Sequence, residues 1–123
     1  LVKANGRVEV APKSELKFLK PQTLMMWEVQ KRNNKSAANH EPYESRRLVI
    51  DVNLRLLTNQ HLDGTVSKKF SLESVFKIRK LGTHSLFIHF DITRQRPYKI
   101  SFASGTERDE CSSALMFHAI NFY

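Results

Sequence analysis

The chain has 123 residues, 41% of them hydrophobic, which suits a single domain with an apolar core and excludes a disordered chain. Lysine and arginine number 20 against 12 aspartates and glutamates. The formal net charge is therefore +8, which favours an anionic partner: lipid headgroups, nucleic acid or an acidic protein surface. The single cysteine, Cys111, excludes an intramolecular disulfide framework or a multi-cysteine metal site and favours a reducing, intracellular setting.

Residues 1–22 differ in character from the rest of the chain. They are basic, contain two prolines and include only two short apolar stretches, at 7–10 and 16–19. We interpret them as an N-terminal extension that forms an additional strand or a short helix, ahead of a domain that spans 23–123. No signal-peptide pattern opens the chain, and its longest apolar run is far too short to span a bilayer.

From residue 23 onward, apolar and polar positions alternate, which is the period of a half-buried β-strand. Met25, Trp27 and Val29, for example, share one face, and mostly polar residues lie between them. Seven segments follow this pattern, and turn-forming residues separate them. The segments are 25–30, 48–52, 54–57, 66–72, 75–80, 86–90 and 98–102. Antiparallel strands need only short connections, and this spacing provides them.

The end of the chain has helical spacing instead. Apolar positions recur every three or four residues from Thr106 onward, and acidic residues occupy the first turn, where the helix dipole favours them. The pattern predicts a helix from near Thr106 to near Asn121, with Thr106 or Ser104 as its N-cap. Seven strands and one helix predict a mainly β fold. We expect a seven-stranded antiparallel β-barrel of two roughly orthogonal sheets, capped by the C-terminal helix.

Three stretches, taken in order, resemble the pleckstrin-homology (PH) family over about residues 23–122. The first is a strand that ends in Lys31 and Arg32, followed after a variable loop by RRLVI at 46–50. The second runs from the Asp-Gly pair at 63–64 through FSL at 70–72 to VFKI at 75–78. The third is YKISFA at 98–103, followed by ERDEC at 107–111. The resemblance implies a PH-like barrel that binds partners and does not catalyse a reaction.

One position departs from the family pattern. The family carries a tryptophan in its terminal helix, and Cys111 occupies the corresponding place. Divergent members, and the related phosphotyrosine-binding and GRAM domains, also lack this tryptophan. We expect the helix to bury Cys111, Leu115 and one or both of Phe117 and Phe122 against the barrel, so that phenylalanine supplies the missing bulk.

Basic residues cluster on the first predicted hairpin. Strand parity turns Lys31 and Arg46 inward at the barrel mouth, while Lys35 lies in the loop and Arg32 and Arg47 lie on the outer side. A cation that points into an open rim is costly unless an anion compensates it, and arginine and lysine pair strongly with phosphate. The resemblance implies a phosphoinositide site at this hairpin, formed by these five residues.

The match to the family's lipid-binding pattern is incomplete. That pattern is a lysine, a loop, and then a basic residue, any residue and an arginine. If the pattern is counted from Arg46, Leu48 occupies the position of the final arginine. If it is counted from Arg47, Val49 occupies that position. A protein-binding role therefore stays open beside a lipid-binding one.

We expect a non-enzymatic PH-like module without cofactor or metal, because the five histidines lack metal-ligand spacing and no catalytic motif occurs. The first hypothesis is a cytoplasmic adaptor, peripheral on a membrane's cytosolic face, that contacts acidic phosphoinositide-type lipid headgroups. The alternative is a scaffold that binds protein, not lipid, through a strand edge and the helix groove. Nucleic acid ranks third, because a single-strand binder needs exposed aromatic rings among its cations. Strand parity instead predicts a core position for Phe76, Phe90, Tyr98 and Phe102, and only Phe87 breaks the pattern.

Overall fold

A computed structural model describes residues 23–32 and 43–120 of the chain. The predicted N-terminal extension at 1–22, the loop residue Lys35 and the helix residue Phe122 lie outside these described residues.

The described chain forms seven strands followed by one helix. A short 3-10 turn, Leu72–Ser74, separates the fourth and fifth strands. The strands are β1 (Leu24–Arg32), β2 (Tyr43–Asp51), β3 (Leu56–Gln60), β4 (Val66–Ser71), β5 (Val75–Leu81), β6 (Ser85–Phe90) and β7 (Tyr98–Ser101). The helix α1 spans Gly105–Leu115 and continues into a wider π-helical turn at Met116–Ile120.

All pairings are antiparallel, and the strands form one sheet in the order β4-β3-β2-β1-β7-β6-β5. The mainly β, seven-stranded fold with a single C-terminal helix is therefore confirmed. The two expected sheets are joined into one because β1 also pairs with β7, through Gln30 opposite Ser101 and Lys31 opposite Ile100. The sheet stays open between its edge strands β4 and β5. The π-helical turn packs against both β5 and the 3-10 turn that connects these two edges.

The inner face of the sheet is dry and close-packed. Ile50, Leu57, Ile88 and Ile100 have no exposed surface, as period-two alternation on four different strands predicts. At one end of this core, three aromatic rings from β4, β6 and β7 pack together. The ring of Phe70 stacks on that of Phe90 with centroids 4.2 Å apart. The ring of Tyr98 meets both of them edge-on.

The N-terminal end of α1 is held against the turn between β5 and β6. Ser104 is the N-cap, as one of the two predicted alternatives, and its hydroxyl accepts a hydrogen bond from the amide of Glu107 at 3.2 Å. Gly105 allows a close approach, because a Cβ there would lie 2.8 Å from the carbonyl oxygen of Thr83. The buried guanidinium of Arg108 donates to the carbonyl of Ser85 at 3.1 Å.

The C-terminal end of the helix is tied to the turn between β2 and β3. Arg55 lies in that turn with φ of 57°, a left-handed conformation that costs a non-glycine residue free energy. Its guanidinium Nη1 donates to the carbonyl of His118 at 2.7 Å, and its Nε donates to Glu73 at 3.2 Å. These contacts compensate the backbone conformation and connect three separate segments.

The predicted buried face of the helix is largely confirmed. Cys111 and Leu115 have no exposed surface. Of the two phenylalanines expected to supply the remaining bulk, Phe117 is 68% exposed and does not do so, and Phe122 lies outside the described residues. Ala119 completes the buried row because positions 111, 115 and 119 recur every four residues and so share one face, whereas Phe117, two residues after Leu115, lies on the opposite side of the helix.

Replacing Leu115 with alanine should lower the free energy of unfolding by about 2–5 kcal/mol, because the truncation leaves a cavity beneath the helix. The matched control is Phe117→Ala, which removes a larger but exposed side chain and should change stability by less than about 0.5 kcal/mol. Urea denaturation of both variants measures the difference. Equal losses for the two variants would show that the buried face of the helix is assigned wrongly.

Candidate functional site

A polar cavity opens beside the aromatic end of the core, where β1 ends and β2 begins. Its volume is about 410 Å³. Five basic side chains and one carboxylate line it, with polar residues between them. The basic residues are Lys31, Arg46, Lys68, Arg94 and Arg96, and the carboxylate belongs to Glu44. We call this cavity the mouth.

Lys31 reaches the mouth because it continues the inward-facing row of β1, two residues after the buried Val29. Its ammonium lies 4.6 Å from the centroid of the Tyr98 ring, which is a cation–π geometry. Partial burial lowers the pKa of Lys31, and the neighbouring charges of Arg46 and Lys68 lower it further, while Glu44 acts in the opposite direction. The cation is thus held where water solvates it poorly and other cations repel it.

Arg46 lies at the equivalent position of β2, opposite Val29 in the register. Its side chain is 17% exposed, and its Nη2 forms an ion pair with Glu44 Oε1 at 2.7 Å. Its Nη1 donates to the carbonyl of Ser45 at 2.9 Å. The Nε of Arg46 is buried and has no hydrogen-bond partner in the described part of the chain. A buried donor without a partner costs free energy, and an anionic ligand within its reach removes that cost.

The remaining cations come from strand β4 and from the loop between β6 and β7. Lys68 Nζ donates to Gln95 Oε1 at 2.9 Å, which ties β4 to that loop across the mouth. Gln95 in turn donates to the carbonyl of Arg96 at 2.9 Å. The loop is thereby held so that both Arg94 and Arg96 line the cavity.

The base of the mouth is formed by a buried polar pair. The amide Nδ2 of Asn59 donates to the hydroxyl of Tyr98 at 3.2 Å, and both residues are less than 5% exposed. Burial raises the pKa of Tyr98 above its usual value, although the hydrogen bond from Asn59 and the charge of Arg46 act in the opposite direction. This pair lies between the cationic mouth and the rings of Phe70 and Phe90, because Asn59 and Tyr98 line the cavity and Tyr98 also packs on both rings.

The structure brings together only some of the five residues that were predicted from the sequence to form the lipid site. Lys31 and Arg46 share the mouth. Arg32 is exposed at the end of β1 and does not line the cavity. Arg47 lies on the outer face, with its Nη2 3.8 Å from Glu28. Lys35 lies outside the described residues.

Three basic residues of the mouth were not among the site residues predicted from the sequence. Lys68 carries a usable signal, because it shares strand parity with the buried Phe70 and must point inward near the start of β4. Arg94 and Arg96 carry none, because they lie in a connection without periodicity and only the tertiary structure brings them to β1 and β2.

Residues 23–32 and 43–120 contain no group of three or more histidine, cysteine or carboxylate side chains arranged to hold a metal ion. No helix in those ranges combines the length and apolar character needed to cross a membrane. Burial strongly raises the pKa of the Cys111 thiol, which disfavours the nucleophilic thiolate.

By sequence, no family model and no curated protein matches the chain. By structure, the chain is similar to the PH domain of human oxysterol-binding protein-related protein 11, with a TM-score of 0.63 and 12% identity over 80% of this chain and 82% of that one. It is also similar to the Slm1 PH domain in complex with inositol-4-phosphate, with a TM-score of 0.61 and 13% identity over 80% of this chain and 99% of that one. A third similar structure is the DH/PH fragment of PDZRhoGEF in complex with human RhoA, with a TM-score of 0.61 and 15% identity over 77% of this chain and 28% of that one. These similarities show the PH-like fold.

Replacing Tyr98 with phenylalanine should lower the free energy of unfolding by about 1–3 kcal/mol, because it leaves the buried amide of Asn59 without its acceptor. Tyr43→Phe is the matched control, since it removes a hydroxyl from the more accessible start of β2 and should change stability by less than about 0.5 kcal/mol. Chemical denaturation of the two variants checks the expectation. An unchanged stability of Tyr98→Phe would mean that water satisfies Asn59 and that the base of the mouth is not sealed.

Proposed function

We propose that this chain, which has the PH-like fold, is a non-catalytic binding module whose mouth binds the phosphorylated headgroup of an acidic, phosphoinositide-type membrane lipid. Binding would hold the domain peripherally on the cytosolic face of a membrane. One observation carries the proposal: five cations surround a single carboxylate in one small cavity. A cavity of about 410 Å³ is also within the usual range for small-ligand sites.

The electrostatics of the mouth favour a phosphate ligand. Partial burial is the main cause that lowers the pKa of Lys31; Glu44 raises this pKa, and repulsion by Arg46 and Lys68 lowers it again. A phosphate replaces that repulsion with charge-assisted hydrogen bonds. It could also accept from the buried Nε of Arg46, which lacks a partner in the described residues.

The incomplete family pattern limits what this site can recognise. Leu48 and Val49, which occupy the final arginine positions of that pattern, are buried and only 2% and 6% exposed, so neither can contact a headgroup. Lys68, Arg94 and Arg96 line the mouth from other segments instead. We therefore propose selection by phosphate charge, with weaker discrimination among positions on the inositol ring. The inositol-4-phosphate held by the similar Slm1 PH domain supports this class of ligand.

A second candidate function is a protein scaffold that does not bind lipid. Glu44 forms an ion pair with Arg46 and so competes with any anionic ligand for that guanidinium. The sheet also keeps two edges, β4 and β5, that do not pair with each other. An extended peptide could add to such an edge through backbone hydrogen bonds. The similar DH/PH fragment that is bound to RhoA supports a protein-binding role for this fold.

Replacing Lys31 and Arg46 together with alanine should weaken binding to phosphoinositide-containing liposomes by about thirtyfold, because each basic residue near a membrane contributes about 1 kcal/mol. Flotation at low and raised salt measures this loss, and the parent's binding should itself weaken as salt screens the charges. Lys77→Ala with Arg79→Ala is the matched control. It removes the same number of charges from outside the mouth and should float almost like the parent.

Two outcomes would contradict lipid binding at the mouth. The first is a parent domain that does not bind anionic liposomes even at low salt. The second is a mouth variant that floats as well as the control variant. Either result would favour the scaffold function.

Lys31 also gives the site a distinctive pH dependence. Because its pKa lies below the usual 10.5, the ammonium should begin to lose its proton at a lower pH than an exposed lysine, and anion binding should weaken as the pH rises through that value. A bound phosphate should shift the pKa upward, since it favours the charged form. The stability of the fold should change in the opposite direction. Because the unfolded chain keeps the Lys31 proton up to a higher pH, the free energy of unfolding should rise with pH between the lowered folded-state pKa and the usual 10.5. NMR titration of the Lys31 side chain, with and without inositol phosphate, measures both shifts, and identical curves would contradict phosphate contact with Lys31.

A further inference from the structure

The outer face of β5, β6 and β7 carries cations and aromatic rings in alternating rows. In the strand register, Arg79 on β5 lies opposite Phe87 on β6, and Phe87 lies opposite Lys99 on β7. The next row pairs Lys77 with His89. All five point away from the core, because Leu86, Ile88 and Ile100 alternate with them on β6 and β7 and are buried, and Ile78, between Lys77 and Arg79, packs against the core. We call these residues, together with Phe76, the outer patch.

Phe76 joins this patch because β5 contains a bulge. The register shifts between Val75 and Lys77, so that one extra residue is inserted there. Val75 is buried, whereas Phe76 is 55% exposed with its ring centroid 6.1 Å from that of His89. Parity placed Phe76 in the core together with Phe90, and the bulge makes that prediction wrong for Phe76.

The charged side chains of the outer patch are all positive. Among the described residues, no carboxylate forms an ion pair with Lys77, Arg79 or Lys99. The guanidinium of Arg79 lies 5.1 Å from the centroid of the Phe87 ring, which holds the cation beside an aromatic face. Burial lowers the pKa of His89, and Arg79 and Lys77 lower it further, so its ring is neutral near pH 7.

We propose that the outer patch binds single-stranded nucleic acid. Side chains two residues apart on a strand are about 7 Å apart, and neighbouring strands are about 4.8 Å apart. Lys77 and Arg79 therefore form a row of positive charge that can follow successive phosphates. Phe87 and His89 form a parallel aromatic row, and Phe76 adds an exposed ring on which an unpaired base can stack. Aromatic faces interleaved with basic residues on an open sheet are what a single-strand platform requires.

Two other anionic partners fit this surface less well. A duplex keeps its bases stacked inside, so it cannot use the rings of Phe76 and Phe87. A bilayer surface needs several apolar side chains that project beyond the cations, whereas among the patch residues only Phe76 is an exposed apolar side chain, and Phe87 and His89 are partly buried. None of the outer-patch residues lines the mouth, so the proposal is independent of headgroup binding there.

Fluorescence anisotropy with labelled oligonucleotides of about 12 nucleotides tests the proposal, because sites of this kind cover about 4–16 nucleotides. Single-stranded oligo-U and oligo-dT are compared with a duplex of the same length. We expect both single strands to bind at low salt more tightly than the duplex. Phe76→Ala should weaken single-strand binding by about tenfold, consistent with the loss of one stacked base. Lys77→Ala with Arg79→Ala should reduce the magnitude of the salt slope by about 1.4, or 0.7 for each lost phosphate contact.

Matched variants separate this surface from general charge attraction. Phe117→Ala removes an aromatic ring that is more exposed than Phe76 from the helix, and Lys69→Ala removes an exposed cation from β4, so both should bind like the parent. Lys31→Ala with Arg46→Ala should also retain most of the nucleic-acid binding. Phe76 is more than half exposed, so its replacement leaves the fold intact, and thermal unfolding of each variant verifies this.

Several results would overturn the proposal. The first is that the parent does not bind single strands at low salt, and the second is that it binds the duplex with equal affinity. The third is that the mouth variant loses single-strand binding while Phe76→Ala does not. A further such result is that the outer-patch variants lose binding to anionic vesicles while nucleic-acid binding is unchanged, which would make the patch a membrane surface. Failure of headgroup binding at the mouth would leave this inference untouched, because the two sites share no residue.

Discussion

Tyr98 is the residue on which both the core and the mouth depend. Its ring packs edge-on against Phe70 and Phe90 and so closes the aromatic end of the core. The Lys31 ammonium lies over the same ring, and the Tyr98 hydroxyl accepts a hydrogen bond from Asn59. An aromatic side chain with one polar tip can face a dry interior and a charged cavity at once. Without this boundary, the inward-facing cations would lie directly against apolar side chains, where an unpaired charge is costly.

The helix completes the open sheet from the other side. Its N-terminal end is held by the cap at Ser104 and by Arg108, whose guanidinium reaches the turn between β5 and β6. Its C-terminal end is held through Arg55, which reaches the carbonyl of His118. Between these ends, Cys111 and Leu115 fill the core. The helix therefore substitutes for strand pairing at the gap between β4 and β5, and the sheet needs no closure to bury its inner face.

This architecture leaves two basic surfaces with different chemistry. The mouth is concave, its cations are partly desolvated, and its base is a buried polar pair, which together suit a compact, multiply charged ligand. The outer patch is an open sheet face, and its cations alternate with aromatic rings. Strand alternation explains why both exist on one small domain: inward-facing positions converge at the end of the sheet, whereas outward-facing positions spread across it in rows. The basic residues behind the net charge of +8 thus include two clusters of different geometry, one concave and one on an open sheet face.

The sequence by itself determined the strands, the terminal helix and the inward direction of Lys31 and Arg46, because strand and helix periodicities are local properties that each residue's neighbours reveal. It also predicted Ser104 as one of two possible N-caps of the helix, and it predicted the burial of Cys111 and Leu115. Only the tertiary structure decided which cations meet. Lys68, Arg94 and Arg96 reach the mouth through long-range pairing, whereas Arg32 and Arg47 point away from it. It also decided the position of one aromatic ring. A single bulge turns Phe76 outward, since one inserted residue reverses the face that a periodic pattern assigns.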